Sequence, residues 1–255
     1  VGVPDRAARS VTAGSLRRAY LPESAGPDGR ATLDPDESHH VSRVLRLRAG
    51  DALAVFDGRG REWEAVVAEV GRDRVVIVPG APRETVPEPR TRVTIAQAFI
   101  RPEKLEWVLE KGTEIGVTAF RLVPSRRGTT DPPSPSRLAR YRRIVLEACK
   151  QSGRSLLPDL AASTLTDLPR EGSRLVLDPR ARLAVGEVLD PGEGEVCLAV
   201  GPEGGFDEEE IAGLVASGFR AASLGPRTLR TETAGAVAAA IVLYLRGDLG
   251  GTGRI

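Results

Sequence analysis

Val200-Gly201-Pro202-Glu203-Gly204-Gly205-Phe206 packs three glycines, a proline and a carboxylate between an apolar run and a polar helix start. Glycine lets a backbone come close to a ligand, and the first N–H groups of a helix are free to face one. A tight strand-to-helix turn would use the same glycines for geometry alone. The added carboxylate, and the place after a buried-type strand, favour a ligand site. The pattern is neither G-x-G-x-x-G nor a Walker A loop, so a dinucleotide or nucleoside triphosphate site lacks support.

A second segment, Leu224-Gly225-Pro226-Arg227-Thr228-Leu229-Arg230-Thr231-Glu232-Thr233-Ala234, also leaves a strand and enters a helix. A helix cap explains the threonines, with Thr231 or Thr233 as the capping residue, and Glu232 suits a helix N-terminus. Capping does not explain two arginines at a terminus that disfavours cations. Arg227 and Arg230 therefore meet an anion, or pair with Glu203 or Glu232.

A third feature is a basic run, Arg126, Arg127, Arg137, Arg140, Arg142, Arg143, Lys150 and Arg154, opposed by Asp131 and Glu147. Arg140 and Arg143 read as a solvated helix face. Arg126 and Arg127 follow a strand on the expected ligand side and are candidates for phosphate. His39 and His40 are adjacent, with no ligand spacing around them, and read as capping or packing residues. Cys149 and Cys197 fit neither a metal site nor a disulfide framework.

These residues need elements to position them. Arg92 onward alternates strands and helices: strands at 93–99, 119–123, 175–177, 196–200 and 219–224, and helices at 103–115, 138–149, from Asp207, and at 234–245. Leu105, Val108, Leu109 and Ile115 form one apolar stripe; Leu138, Tyr141, Ile144, Val145 and Ala148 form another. Asp207 and Glu210 make a capping-box pair, and Gly153 suits a helix C-cap. Such alternation predicts an α/β unit with a parallel sheet and helices on both faces. Residues 15–80 read mainly as strands, with Ala52–Phe56 running into the turn pair Asp57-Gly58. A short helix bearing Val41, Val44, Leu45 and Leu47 joins them, and the whole predicts a small barrel. The Pro- and charge-rich segment 81–91 reads as a linker, 1–14 as a flexible leader and 249–255 as a tail, leaving 92–248 for the larger domain.

The chain has 255 residues, 41% hydrophobic and 28% charged, which is enough apolar material for a core in each of two modest domains. With 36 Lys and Arg against 35 Asp and Glu, the net charge of +1 makes no argument for nucleic acid. Any basic face must be local. No run is long and apolar enough for a bilayer, and the first residues lack a signal-type apolar core, so a cytoplasmic protein is expected.

HHVSRVLRLRAGD, KGTEIGV, EACKQSGR, GPEGGFDEEE and LGPRTLRTETA occur in this order. Together they closely resemble the bacterial ribosomal RNA small subunit methyltransferase E family, uracil-N3 methyltransferases of 16S rRNA in the SPOUT superfamily. The resemblance spans nearly the whole chain beyond the leader. It implies an N-terminal PUA-like β-barrel that binds RNA, a C-terminal SPOUT domain with a deep trefoil knot, and a homodimer. It also implies S-adenosylmethionine as cofactor, with no metal. Carried over, the cofactor-binding residues are Leu177, Asp178 and Pro179, then Gly201, Pro202, Gly204 and Gly205, then Leu224, Gly225, Leu229 and Thr233. Thr228 stands where the family often has a β-branched hydrophobic residue. N3 of uracil carries a proton and lies on the pairing edge, so the base must be unpaired and deprotonated. A carboxylate or water must accept that proton, or hydrogen bonds must favour the anionic base; Glu203 and Glu232 are the carboxylates in the right loops. Arg230 is suited to stabilise charge on a uracil oxygen. Arg126, Arg127 and Arg154, with Arg43 and Arg46 of the barrel, are expected to meet RNA phosphates. A ribose 2′-O methyltransferase of the same superfamily, and a catalytically silent RNA-binding protein, are the competing readings.

Overall fold

The computed structural model describes residues 16–23, 25–128, 131–192 and 194–250. The expected leader, and residues 251–255 of the expected tail, lie outside them. The chain divides into two compact units, 1–85 and 86–255.

In the first unit β1 (Arg18–Tyr20), β2 (Ala31–Thr32), β3 (Ala52–Phe56), β4 (Glu62–Val70) and β5 (Val75–Pro82) form one curled sheet in the order β1-β3-β4-β5-β2. β3, β4 and β5 run as an antiparallel meander, β2 pairs antiparallel to β5, and β1 runs parallel to β3. Alternation in β4 buries Ala65 and Val67 and leaves Val66 exposed, as a sheet with one wet face requires. Register shifts between β4 and β5 supply curvature. The core gathers Ala19, Leu21, Leu33, Val41, Leu53, Val55, Val75 and Ile77.

Two sequence expectations need correction here. The hairpin expected at Asp57-Gly58 forms between β3 and β4, but not through a two-residue turn: the Asp57 carboxylate accepts the N–H groups of Arg59 (2.8 Å) and Arg61 (3.1 Å) and closes a longer loop. The short helix is α1 (Pro35–His39), capped by Asp34, and it passes into a wider π-type turn over His40–Val44. That change of winding buries Val41 but turns Val44 outward, 60% exposed.

The second unit is a six-stranded, all-parallel sheet. Its strands are β6 (Arg92–Ala98), β7 (Ala119–Val123), β8 (Asp159–Ala162), β9 (Ser173–Leu177), β10 (Glu195–Val200) and β11 (Arg220–Ala222). Their order is β11-β9-β10-β6-β7-β8, so β10 inserts between two earlier strands, β6 and β9. The helices are α2 (Pro102–Ile115), α3 (Pro135–Ser152), the short α4 (Val185–Val188), α5 (Glu208–Ala216) and α6 (Thr231–Leu245). One sheet face carries Ala96, Ala98 and Ala199 against Phe206, Leu214 of α5 and Phe219. The other receives α6 at Gly235, where a Cβ would sit 3.5 Å from Val200 and 3.6 Å from Ile95. α2 packs on α6, and α3 on α2.

Helix ends follow local chemistry. Pro102 and Pro135 open α2 and α3, whose missing N–H costs nothing there. Gly116 and Gly153 close them in the left-handed conformation, at φ +108° and +83°. Asp207 and Glu210 form the expected capping box on α5. The segment 81–91 holds more structure than a linker requires. Ala81 and Pro82 finish β5, Glu88 pairs with Arg154, and Asp248 accepts the N–H groups of Arg90 (3.0 Å) and Thr91 (2.9 Å).

Candidate functional site

A cleft of about 390 Å³ opens where β9, β10 and β11 end and α2 and α6 begin. In a parallel sheet, ligands bind at the carboxyl ends of strands, near the point where strand order reverses. Here that point is the junction of β6 and β10. Leu177, Asp178 and Pro179 line the cleft from the turn after β9. Gly201, Pro202, Glu203 and Gly205 line it after β10, and Leu224, Gly225, Leu229 and Arg230 after β11. Gly204, Glu232 and Thr233 do not line it. Gly204 turns its carbonyl to Arg127 (3.1 Å), and Thr233 sits inside α6 with its N–H on the Arg230 carbonyl. Thr231 and Ala234 take the lining positions instead.

The glycine turn is built from within. Gly205 at φ +68° donates to the Pro202 carbonyl at 2.9 Å. A Cβ on Gly201 would lie 2.7 Å from the Phe206 nitrogen and 2.9 Å from the Gly205 carbonyl carbon. The turn can therefore close on itself only with glycine at 201, a requirement additional to the ligand approach argued from the sequence. Thr231 is not a cap: Arg230 occupies the N-cap of α6 without a side-chain bond. The buried Thr231 hydroxyl donates to the Gly201 carbonyl at 2.5 Å and accepts from Gln97 Nε2 at 3.0 Å. Gln97, wholly buried at the end of β6, thus ties the loop after β10 to the start of α6. Asp178 is engaged by Arg180, through its backbone N–H at 2.9 Å and its guanidinium.

Of the two alternatives for Arg230, an anion or a pairing with Glu203 or Glu232, the pairing does not occur among the described residues. Both carboxylates turn to Lys104, in the first turn of α2: its Nζ lies 3.0 Å from Glu203 and 3.4 Å from Glu232. Arg230 is exposed and lines the cleft. Burial opposes the charged form of Glu203, but the Lys104 hydrogen bond, a backbone N–H and the Arg101 charge outweigh it. The carboxyl lies below its ordinary value. The same hydrogen bond holds the Lys104 ammonium above its ordinary value. Lys104 escaped the sequence reading; its signal was a cation just after the ligand-side end of β6.

The basic run separates into different environments. Arg154 is 4% exposed, donates to the carbonyls of Thr113 and Val117 (2.8 Å each) and pairs with Glu88 at 2.6 Å. A guanidinium so enclosed is a structural tie, which corrects its expected role at phosphate. Arg126 is exposed but bridges Asp207 and Glu209 at the start of α5, and Glu210 accepts its N–H. Arg127 lies against the glycine turn and forms no ion pair among the described residues, and Arg140 bridges Glu106 at 2.6 Å. In the first unit Arg43 and Arg46 are exposed, Arg46 in the left-handed region at φ +57°. Both cysteines are buried, and burial pushes the Cys197 thiol up to about 12. Among the described residues no group of His, Cys, Asp or Glu is placed to hold a metal, and no helix is long and apolar enough to cross a membrane.

Comparison with known proteins agrees with this geometry. Residues 87–243 match the RNA methyltransferase domain family, and 33–80 match the RNA methyltransferase PUA domain. Ribosomal RNA small subunit methyltransferase E of a Synechocystis strain is 35% identical over 228 residues, covering 84% of this chain and 72% of that protein. The Mycobacterium bovis protein of the same name is 35% identical over 222 residues, covering 82% and 84%. Among solved structures, the Neisseria gonorrhoeae methyltransferase E bound to S-adenosylmethionine superposes with a TM-score of 0.83 at 31% identity, over 91% of this chain and 98% of that one. A methyltransferase from Legionella pneumophila, in complex with the same cofactor, reaches 0.84 at 30% identity, over 91% and 99%. With both units matched and the cleft built from the loops after β9, β10 and β11, the chain belongs to the ribosomal RNA small subunit methyltransferase E family.

Proposed function

We propose that this chain methylates N3 of a uracil in 16S rRNA of the small subunit, with S-adenosylmethionine held in the cleft of the second unit. The observation that carries the reading is the convergence of three strand-end loops on one cleft that also holds Lys104, Glu203 and Arg230. The lining fits the cofactor. Leu177, Val200, Leu224, Leu229 and Ala222 offer an apolar bed for a flat heterocycle, and the turns around Gly201 and Gly225 bring backbone close to its polar parts. When bound, S-adenosylmethionine supplies an electrophilic methyl group. The residues of this chain do the rest. Glu203 is the carboxylate placed to take the N3 proton, with Glu232 behind it. Arg230 is free to hold negative charge on O2 or O4 of the base through its planar fork.

RNA affinity is assigned to Arg127 and to Arg43 and Arg46 of the PUA-type unit. Such contacts position RNA without reading its sequence. The insertion of β10 between β6 and β9 supports a knotted SPOUT topology. A homodimer in the cytoplasm completes the reading. α6 spends Ala238, Ala239, Val242 and Leu243 on its own core, so its interface contribution centres on exposed Tyr244 and Leu245. The test is transfer of labelled methyl from S-adenosylmethionine to small subunits lacking the modification, followed by mass spectrometry of the nucleosides. The expected product is N3-methyluridine. Label on a ribose 2′-oxygen, or cofactor binding without transfer, would overturn the assignment.

A further inference from the structure

Two carboxylates near one cleft repel each other, and a base that must become anionic is repelled by both. Glu203 comes from the turn after β10 and Glu232 from the first turn of α6, so their meeting is a product of the fold. Oε2 of Glu232 is buried and has no hydrogen-bond partner among the described residues, and a buried orphaned carboxylate oxygen is costly. What faces that oxygen is the Lys104 ammonium at 3.4 Å, which also donates to Glu203 at 3.0 Å. The Lys104 side chain is 23% exposed, so the cluster is partly withdrawn from water.

We propose that Lys104 is a positioning residue: its ammonium gathers Glu203 and Glu232 into one cluster and fixes the orientation and ionisation of the Glu203 carboxylate for proton abstraction. This rests on the function proposed above. Lysine suits the task because its compact charge reaches two carboxylates in different planes, which the flat guanidinium fork does less well. The remaining charged groups around Glu203 are Arg101 before α2, Arg127 beside Gly204, and Arg227, Arg230 and Asp178 in the same cleft. None of these is paired with Glu203 in an ion pair.

The test compares Lys104→Met, Lys104→Arg and Glu203→Gln in the full-length protein, each first checked by thermal melting. In Lys104→Met, kcat should fall about tenfold to a hundredfold, the scale of a small misplacement of reacting groups. The acid limb of its pH–rate profile should move to higher pH, because the cation that favours the charged form of Glu203 is gone. Lys104→Arg should restore the limb and part of kcat, and Glu203→Gln should abolish the limb. Carbon-13 NMR of glutamate-labelled protein reads the Glu203 titration without any RNA, and Lys104→Met should raise its midpoint. A wild type that methylates no uracil would remove the proposed reaction. An unmoved Glu203 midpoint and acid limb in a folded Lys104→Met would overturn the role of Lys104 alone.

Discussion

Replacing Gly201 with alanine adds a single methyl group, and the geometry sets where it goes. The new Cβ would lie 2.7 Å from the Phe206 nitrogen and 2.9 Å from the Gly205 carbonyl carbon, both backbone atoms of the same turn. Such contacts relax near about 3.5 Å, so the first pair must part by about 0.8 Å and the second by about 0.6 Å. The turn cannot yield freely. Gly205 is bonded to Pro202, the Gly201 carbonyl accepts from Thr231, and the capping box of α5 begins two residues beyond Gly205. Overpacking of this kind costs roughly 1–3 kcal/mol. If the turn moves, that energy appears as a loss of S-adenosylmethionine affinity of roughly 5- to 150-fold. If it holds, the loss appears as a lower melting temperature. Gly204→Ala is the control, since its Cβ would meet Arg127 at an ordinary 3.5 Å. Calorimetry with the cofactor and thermal melting together read both outcomes. Wild-type affinity and melting in Gly201→Ala, or an equal loss in Gly204→Ala, would refute the argument.

Arg230→Ala should lower turnover by roughly a hundredfold to a thousandfold, as loss of one charge-stabilising donor does. Arg230→Lys should fall between, with cofactor affinity nearly unchanged in both; single-turnover assays on small subunits decide. Arg127→Ala should reduce the slope of log affinity against log salt for RNA by about one, while Arg126→Ala should leave it unchanged because Asp207 and Glu209 already compensate that charge. Equal slopes for the two variants would return both arginines to the solvated surface. Burial opposes the charge of Asp248, but the hydrogen bonds from Thr91 and Arg90 outweigh it and hold the carboxyl below its ordinary 3.8. That stability is present above 3.8 and lost as pH falls through the lower folded value. Asp248→Asn should therefore unfold about 1–3 kcal/mol more easily at neutral pH, with the gap closing in acid; a gap independent of pH would contradict this.

The sequence located the cleft better than its chemistry. The turns at Gly201–Gly205 and Leu224–Leu229 were legible because close backbone geometry demands glycine and proline, and those residues stand out in any context. Gly201 lines the cleft, and the turn's own closure also requires glycine there, a demand the sequence did not show because contacts between a turn and itself leave no mark in composition. Lys104 stayed hidden because a lysine in a first helical turn looks like ordinary surface, and its two partners are 99 and 128 residues away along the chain. Arg154 misled for the opposite reason: it sits in a run of basic residues, yet Glu88 and two carbonyls enclose it. β8 passed unnoticed because Asp-Leu-Ala-Ala has no β-branched residue and only Leu160 is buried. Helices with long apolar stripes, α2 and α3, were placed to within a few residues, since burial repeats every turn along them.

The late insertion of β10 has a consequence for synthesis. Between the end of β6 at Ala98 and the end of β10 at Val200 the ribosome must add 102 residues, which takes about 5–20 s at ordinary elongation rates. For all of that interval the β10 side of β6 has no strand beside it, and β9, complete at Leu177, waits 23 residues for its neighbour; both edges offer unpaired N–H and C=O groups to any extended chain nearby. The centre of the sheet therefore stays open until β10 arrives, with only the edge strand β11 still to be added after it. A nascent chain shorter than about 200 residues presents at most the β6-β7-β8 sheet and a lone β9 without the strand that joins them, and exposed edges of this kind favour misassembly.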